Sequence, residues 1–254
     1  MTAPDASAPR ILVVEHEAIC PPGHVGRWLA EAGARLDVRR MGAGDPLPDD
    51  LDDHDALLVL GGTMGAGDDA THPWLGPVKE LIRSAASDDV PVLGICLGHQ
   101  LVAVALGGEV SRNPLGQQVG LVPVGWTDEA ATDPVLGALA RAAATGAPTR
   151  AIQWNDDVVT LLPYGASVLA ETPQEEIQAV RFAATVWGVQ FHPEADAEIA
   201  AAWAAGDADR HRALGIDTTA RLDQARAAAS ELEATWRGLA DAFARVAADD
   251  WPAP

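Results

Sequence analysis

The stretch Pro91-Val-Leu-Gly-Ile-Cys-Leu-Gly-His-Gln100 joins a short apolar run to a cysteine that lies between two glycines. The run up to Ile95 is typical of a buried strand, and residues 97–106 are apolar almost all round, as in a buried helix. A strand that passes at once into a helix makes a sharp turn, and Gly94 and Gly98 relieve the crowding around it. The pattern predicts a nucleophile elbow with Cys96 at its tip.

The predicted position of Cys96 also favours its reactive form. The N-terminus of the following helix carries a partial positive charge, which stabilises the attacking thiolate relative to the thiol. A buried, inert cysteine is the alternative, and the flanking glycines and the strand–helix context argue against it. The other cysteine, Cys20, precedes Pro21-Pro22 in a turn and is interpreted as structural.

A second motif, Val189-Gln-Phe-His-Pro-Glu194, follows the apolar run 186–189. A cysteine nucleophile in acyl transfer needs a base, and the base needs a group that orients it. We predict that His192 is the base and that Glu194 sets its tautomer and stabilises the imidazolium. Pro193 stiffens the backbone between them.

A third motif, Leu57-Leu-Val-Leu-Gly-Gly-Thr-Met64, ends a predicted strand in a glycine pair. Such a pair can leave backbone N–H groups free to contact a ligand. We predict that the N–H groups of Gly62 and Leu97 form an oxyanion hole. On its own, a glycine pair after a strand is more typical of a simple turn. The motif also differs from a phosphate-binding loop, since it contains neither Gly-Lys-Ser/Thr nor Gly-x-Gly-x-x-Gly.

Strands and helices alternate in the first half of the chain. Apolar runs predict strands at residues 11–14, 36–38, 56–60 and 91–95, with helices at 25–32, 73–86 and 97–106. Since each strand is apolar on both faces, we predict an α/β fold with a mostly parallel central sheet flanked by helices. Shorter β-rich segments between Gly116 and Val189 predict the far edge of this sheet and added antiparallel strands.

We predict a single domain at residues 10–195, with a disordered segment at 1–9 and a C-terminal helical extension at 196–254. In the extension, apolar residues recur at intervals of three and four, which indicates one stripe of a long helix. The stripe consists of Leu222, Ala225, Ala229, Leu232, Trp236, Leu239, Phe243 and Val246. The favoured interpretation is that it packs on the same domain, and a docking surface for a second protein is the alternative.

Taken together and in this order, the three motifs resemble those of the class I (triad) glutamine amidotransferases. The resemblance extends over residues 11–194 and is strongest to the amidotransferase domain of GMP synthetase and its stand-alone relatives. Met64, Pro73-Trp74-Leu75 and Gln153-Trp154 agree with that subgroup. The resemblance implies a flavodoxin-like fold, no cofactor and no metal ion.

The resemblance also implies a mechanism. The glutamine side-chain amide is attacked by Cys96, His192 protonates the departing ammonia, and water activated by His192 then cleaves the glutamyl thioester. Gln100 matches the family position that helps to hold the glutamine backbone, and Met64 lies where backbone atoms line the same pocket. His99 matches the motif without a catalytic role, and we expect it to pack beneath the elbow.

Two features depart from the GMP synthetase pattern. Relatives often carry His-x-Asp in the segment Gln153-Trp-Asn-Asp-Asp157, and here Asn155 replaces the histidine while Asp157 is retained. The chain also contains no Ser-Gly-Gly-x-Asp-Ser loop for nucleotide binding. The resemblance thus implies that ammonia is released without a site in this chain that uses it, and a separate synthetase subunit is one expected partner.

Composition argues against several classes of partner. Seventeen Lys and Arg against thirty-seven Asp and Glu leave a formal charge of −20, which disfavours binding to nucleic acid or to anionic membranes. Two cysteines cannot build a disulfide framework, the first residues carry no secretory signal, and no apolar run is long enough to span a bilayer. We therefore predict a cytoplasmic protein with reduced thiols and a small-molecule substrate.

The sequence leaves three functions open. The first is a glutaminase that passes ammonia to an acceptor or to a separate synthetase. The second is a stand-alone γ-glutamyl hydrolase or peptidase that uses the same thioester chemistry on another γ-glutamyl compound. The third is a catalytically silent binding protein, and the intact set of Cys96, His192 and Glu194 argues against it.

Overall fold

Strands and helices alternate along the chain in the computed structural model, which describes residues 8–146 and 149–248. The strands in chain order are β1 (Arg10–Glu15), β2 (Arg35–Arg40), β3 (Ala56–Val59), β4 (Val92–Ile95), β5 (Glu109–Arg112), β6 (Gln118–Pro123), β7 (Gly125–Trp126), β8 (Arg150–Asn155), β9 (Asp157–Leu161), β10 (Ser167–Glu171), β11 (Ile177–Ala183) and β12 (Val186–Val189). The α-helices are α1 (Gly23–Glu31), α2 (Leu75–Ser87), α3 (Leu97–Ala105), α4 (Gly137–Ala144), α5 (Ala197–Gly206), α6 (Ala208–Leu214), α7 (Thr218–Ala227) and α8 (Ala229–Ala247). The segment predicted to be disordered lies outside the described residues except for its last two positions, and so do residues 249–254.

Eight of the strands form one sheet in the order β2-β1-β3-β4-β12-β11-β10-β7. The first five of these strands run parallel, and β11, β10 and β7 follow in that order, each antiparallel to the strand before it. The predicted mostly parallel sheet with antiparallel additions is confirmed. The prediction that residues 186–189 lie toward the far edge is wrong, because β12 is buried between β4 and β11. Two further ladders, β5 with β9 and β6 with β8, are separate from this sheet.

The sheet separates two hydrophobic cores because side chains alternate along each strand. In β1, Ile11 and Val13 belong to one core, while Leu12 and Val14 belong to the other. Buried residues of α1 and α8 complete the first core, and those of α2 and α3 complete the second. Helices therefore cover both faces of the sheet, as predicted for a parallel arrangement.

The carboxyl ends of three adjacent parallel strands bring the sequence motifs together. The glycine pair Gly61-Gly62 follows β3 closely, Cys96 follows β4 directly, and Gln190 follows β12 directly. Because β3, β4 and β12 are neighbours with the same direction, these segments meet at one edge of the sheet. Such an edge is the usual location of a site in open α/β sheets.

Between residues 196 and 248 the structure has four helices, and the stripe predicted as one long helix is divided between two of them. The division falls at Ala228, which ends α7 and precedes α8. The two helices have different packing partners, since α7 packs against β6 and α5 while α8 packs against α1 and α4. In α8 the stripe is buried in the first core, where the ring of Trp236 lies 4.4 Å from that of Phe191. Ala229, predicted to lie on the stripe, is exposed instead.

Candidate active site

The turn between β4 and α3 has the geometry of a strained elbow. Cys96 adopts φ of 52° and ψ of −105°, a backbone conformation that a side chain disfavours. A Cβ at Gly94 would lie 2.5 Å from the carbonyl carbon of Gly98, and a Cβ at Gly98 would overlap the carbonyl oxygen of Val59. Glycine at both positions is therefore a steric requirement of the turn.

The structure brings Cys96, His192 and Glu194 together in a buried cluster. Nδ1 of His192 and Oε1 of Glu194 are 2.7 Å apart. The other ring nitrogen, Nε2, is buried and has no hydrogen-bond partner among the described residues. A Cβ at Gly61 would lie 3.2 Å from Cε1 of His192 and 3.7 Å from Cβ of Cys96, so both groups border the same glycine. This order of thiol, imidazole and carboxylate is the one that nucleophilic catalysis requires.

The backbone holds the second motif in place on both sides of the cluster. The N–H of His192 donates to the carbonyl oxygen of Ile152 at 2.8 Å. The carbonyl oxygen of Glu194 accepts from the N–H of His24 at 2.9 Å, and a Cβ at Gly23 would overlap that oxygen. The N-terminus of α1 therefore fixes the loop that carries the carboxylate.

The buried charges determine the protonation of His192. Burial by itself lowers the pKa of His192, and the negative charges of Glu194 and Cys96 outweigh burial and raise the pKa above its usual range. The protonated imidazolium is the state of His192 that this balance favours. In contrast, burial raises the pKa of the Cys20 thiol, and the nearby charges of Cys96 and Glu194 raise it further, so Cys20 stays protonated.

The two residues predicted to form an oxyanion hole, Gly62 and Leu97, lie close together. Leu97 is the first residue of α3, and its N–H belongs to the helix N-terminus beside Cys96. Neither this N–H nor that of Gly62 donates a hydrogen bond to another residue within 8–146 and 149–248. A Cβ at Gly62 would lie 2.8 Å from Cδ2 of Leu97, so the two residues are in direct proximity.

A cleft of about 540 Å³ opens above the cluster and contains the remaining predicted site residues. Met64 and Gln100 line it together with Cys96 and His192. Nε2 of Gln100 donates to the carbonyl oxygen of Asp157 at 2.9 Å and to Oε1 of Gln190 at 3.2 Å. The cleft is therefore bounded by residues from all three motifs.

Several residues beside Cys96 or along the cleft were not predicted from the sequence. Nε2 of Gln190 donates to Sγ of Cys96 at 3.6 Å, and its place inside the second motif was the available signal. Cys20, interpreted only as structural, lines the cleft as well. Trp203 of α5 packs its ring 4.4 Å from the ring of His192, and Asp207 follows α5 on the same wall. No local pattern distinguishes these last two residues from the rest of a helical segment.

The imidazole of His99 lies beneath the elbow, away from the cleft. Its side chain is fully buried, and its ring packs 5.2 Å from the ring of Phe182. Burial lowers the pKa of His99 to about 3, so the ring is neutral. A Cβ at Gly188 would lie 2.5 Å from Nδ1 of His99, which explains a glycine in the middle of β12.

The described parts of the chain, 8–146 and 149–248, contain no group of three or more His, Cys, Asp or Glu side chains arranged to hold a metal ion. Within the same residues, every helix is too short or too polar to cross a lipid bilayer.

Comparison with known proteins identifies the family. Residues 25–201 match the family model of the class-I glutamine amidotransferases. The glutamine amidotransferase-like protein YfeJ of Salmonella typhimurium is 31% identical over 188 residues, which are 73% of this chain and 75% of that protein. A glutamine-hydrolyzing GMP synthase subunit of Sulfolobus acidocaldarius is 33% identical, over 59% of this chain and 72% of that protein.

Further relatives extend the comparison. Gamma-glutamyl peptidase 4 of Arabidopsis thaliana is 28% identical over 67% of this chain and 66% of that protein. The crystal structure of a glutamine amidotransferase from Methylobacillus flagellatus superposes with a TM-score of 0.81 at 26% identity, covering 94% of this chain and 95% of the other. With the motifs joined at one edge of a flavodoxin-like sheet and the family model matching most of the chain, the protein belongs to the class I glutamine amidotransferase family.

Proposed function

We propose that the protein hydrolyses a γ-glutamyl amide, with glutamine as the substrate that its family membership indicates, through a thioester on Cys96. The observation that carries this proposal is the buried contact between Nδ1 of His192 and Oε1 of Glu194, with Cys96 and His192 bordering the same glycine, Gly61. The fold alone would not support an activity, because one fold accommodates many functions. The arrangement of thiol, imidazole and carboxylate supports this activity.

In the acylation step, the Cys96 thiolate attacks the amide carbon and a carbon–sulfur bond forms. The N–H groups of Gly62 and Leu97 stabilise the negative charge that develops on the carbonyl oxygen. The imidazolium of His192 then gives its proton to the departing nitrogen as the carbon–nitrogen bond breaks. The raised pKa of His192 supports this role, since it keeps the proton on the ring before attack.

In the deacylation step, His192 acts as a base. The thioester carries no negative charge on sulfur, so one of the two charges that raise the pKa of His192 is removed. The neutral ring can then take a proton from water, whose oxygen attacks the thioester. Glutamate leaves, and the Cys96 thiolate with a protonated His192 is restored.

The amine or ammonia that leaves the substrate can either be passed to a separate synthetase or be released by a stand-alone hydrolase. Relatives named as GMP synthase subunits support a glutaminase that supplies ammonia to a separate synthetase. Relatives named as gamma-glutamyl peptidases support a stand-alone hydrolase. The C-terminal helices favour the second candidate, because Trp203 and Asp207 close one wall of the cleft from within the same chain.

We also propose that residues 196–254 extend the domain at 10–195 and do not form a separate one. Buried side chains of α5, α7 and α8 belong to the same hydrophobic core as those of β1 and β4. The same helical segment contributes to the cleft. A shared core and a shared site are properties of one folding unit.

The test is release of glutamate and ammonia from glutamine and from a panel of γ-glutamyl dipeptides. Cys96→Ala is expected to abolish release from every compound, because no other thiolate lies in the cluster. Cys20→Ala is the matched control: it removes the second thiol of the same cleft, and we expect it to retain turnover. Equal activity of Cys96→Ala and the wild type would refute the thioester mechanism.

A further inference from the structure

Gln190 lies directly against the sulfur of the nucleophile. The residue follows β12, its side chain is fully buried, and its backbone N–H donates to the carbonyl oxygen of Gln178 at 2.8 Å. Nε2 of its side chain donates to Sγ of Cys96 at 3.6 Å. Because the amide of Gln190 is shielded from water, it must find its hydrogen-bond partners within the protein. The sulfur is one of these partners.

A backbone carbonyl group fixes which end of the Gln190 amide points at the sulfur. The carbonyl oxygen of Asp157 can only accept, so the amide nitrogen of Gln100, 2.9 Å away, must point at it. The same nitrogen donates to Gln190 at 3.2 Å, so the atom of Gln190 that it contacts must be the amide oxygen. Exchanging the oxygen and the nitrogen of Gln190 would place two donors against each other. The nitrogen of Gln190 is therefore the atom that faces Cys96.

An N–H donor at this position favours the charged form of the sulfur. Hydrogen bonds to an ionised acceptor are roughly twice as strong as those to a neutral one, so the amide of Gln190 stabilises the thiolate more than the thiol. Cys96 is only 5% exposed, so water can contribute little to the same effect. Because the thiolate is the attacking species, the group that stabilises it increases the reactive fraction of the protein.

Gln190 acts on the sulfur from within the protein and leaves the space of a substrate free. Its side chain is fully buried, whereas that of Gln100 lines the cleft. Both hydrogens on Nε2 of Gln100 are used, one for the carbonyl oxygen of Asp157 and one for Gln190. Gln100 therefore has a second task besides bounding the cleft, since it holds the amide of Gln190 in the orientation that directs a donor at Cys96.

We propose that Gln190 is a further catalytic residue, whose amide N–H stabilises the thiolate of Cys96 before the thiolate attacks the substrate. Gln100 and the carbonyl group of Asp157 are positioning groups that hold this amide in its orientation. The catalytic part of the inference rests on the proposed function, and the stabilisation of the thiolate does not. No bond is made or broken at Gln190, because its protons stay on nitrogen and His192 carries out the proton transfers.

The test is the pH dependence of the alkylation of Cys96 by iodoacetamide in Gln190→Met. Methionine is close to glutamine in length and removes the donor. Every protein in the test carries Cys20→Ala, which leaves Cys96 as the only cysteine of the chain. The rate rises with pH as the thiolate forms, and the midpoint of this rise does not depend on how easily the reagent reaches the sulfur. We expect the midpoint to rise by about one pH unit, which is about a tenfold loss of thiolate below it.

The matched control is Gln178→Met. Gln178 is also a fully buried glutamine, and its amide is hydrogen-bonded to that of Gln153. The substitution removes the same kind of group from the neighbouring strand, and the midpoint should stay as in the parent protein. Gln190→Leu removes the donor with a shorter side chain, and it takes the place of Gln190→Met if the methionine variant does not fold.

Glutamate release from glutamine connects the thiolate to catalysis. Below the midpoint of the parent protein, we expect Gln190→Met to release glutamate about tenfold more slowly, because about tenfold less thiolate is present. Above the midpoint of the variant, its rate should approach that of the parent. A side chain that only fills space in the core would not produce this dependence on pH.

The outcomes separate this inference from the proposed function. An unchanged midpoint in a folded Gln190 variant would overturn the inference, and so would an equal shift in Gln178→Met, since the loss of any buried amide would then have the same effect. A raised midpoint with glutamate release unchanged at every pH would overturn the catalytic role. A raised midpoint with no glutamate release from any γ-glutamyl compound, even by the parent protein, would overturn the proposed function and leave Gln190 as the group that stabilises the thiolate.

Discussion

Replacing Glu194 with glutamine tests how the buried carboxylate controls the reactive state of the cluster. Glu194 is almost fully buried, and its Oε1 contacts Nδ1 of His192 at 2.7 Å. Glutamine has nearly the same shape and keeps an oxygen that accepts from Nδ1. The substitution therefore removes the negative charge while preserving the hydrogen bond.

The size of the effect follows from the charge that is lost. Two unit charges about 4 Å apart attract by about 4 kcal/mol at an effective dielectric constant near 20. Because the amide oxygen retains part of the interaction, we expect a loss of about 2 kcal/mol, or about 30-fold, in the stability of the thiolate–imidazolium pair. The pKa of His192 falls, since Glu194 is the largest cause that raises it.

The assay is the rate at which iodoacetamide alkylates Cys96, followed by intact-mass spectrometry across a range of pH. At about pH 6, we expect Glu194→Gln to react about 30-fold more slowly than the wild type, because less thiolate is present. At about pH 9 the difference should shrink, because hydroxide then forms the thiolate without help from the imidazole. Glutamate release should fall in parallel.

The control is Glu198→Gln, the same substitution on the exposed first turn of α5. It should match the wild type at every pH. Equal alkylation rates of Glu194→Gln and wild type at low pH would refute the view that this carboxylate stabilises the charged pair.

Two further predictions concern stability. Gly98→Ala would place a Cβ on the carbonyl oxygen of Val59, and we expect it to lower the free energy of unfolding by about 3 kcal/mol in urea titrations. Gly67→Ala, which has open space around it, is the control and should leave the free energy of unfolding unchanged. Equal stability of the two variants would contradict the described elbow. Burial lowers the pKa of His99 to about 3 and of His16 to about 4, so the unfolded chain binds more protons between these values and about pH 6.5. The free energy of unfolding should therefore decrease as the pH falls through that window, and a flat pH profile would show that these rings are not held neutral.

The elbow and the residues that cluster around it, Cys96, His192 and Glu194, could be predicted from the sequence because the patterns that mark them are local. The turn leaves no room for a Cβ at positions 94 and 98, and the sequence has glycine at both. His192 and Glu194 are only two positions apart, so one short motif contains both. Apolar runs of strand length likewise predicted the parallel strands, since hydrophobic burial acts on each run wherever it lies. These features required no knowledge of the neighbouring elements.

Strand order and weak strands were harder to predict. Residues 186–189 read as a short apolar run, and nothing local indicates whether such a run lies at the edge or between β4 and β11. The strands β5 and β9 were not predicted, because β5 is largely exposed and lacks an apolar run. The division of the C-terminal stripe at Ala228 was also missed, because it depends on two helices packing on different partners.

The sequence by itself predicted the sharp turn at Cys96, the motif that carries His192 and Glu194, and the parallel sheet, because backbone preference, glycine placement and hydrophobic periodicity act over a few residues. Only the tertiary structure decided which side chains surround the chemistry. Gln190 lies beside the sulfur of Cys96, 94 positions away, and Asp207 contacts Trp154, 53 positions away. Trp203 reaches the imidazole of His192 because α5 folds back over the loop that carries it. Such contacts depend on the summed packing of helices and strands, and no short pattern contains that sum.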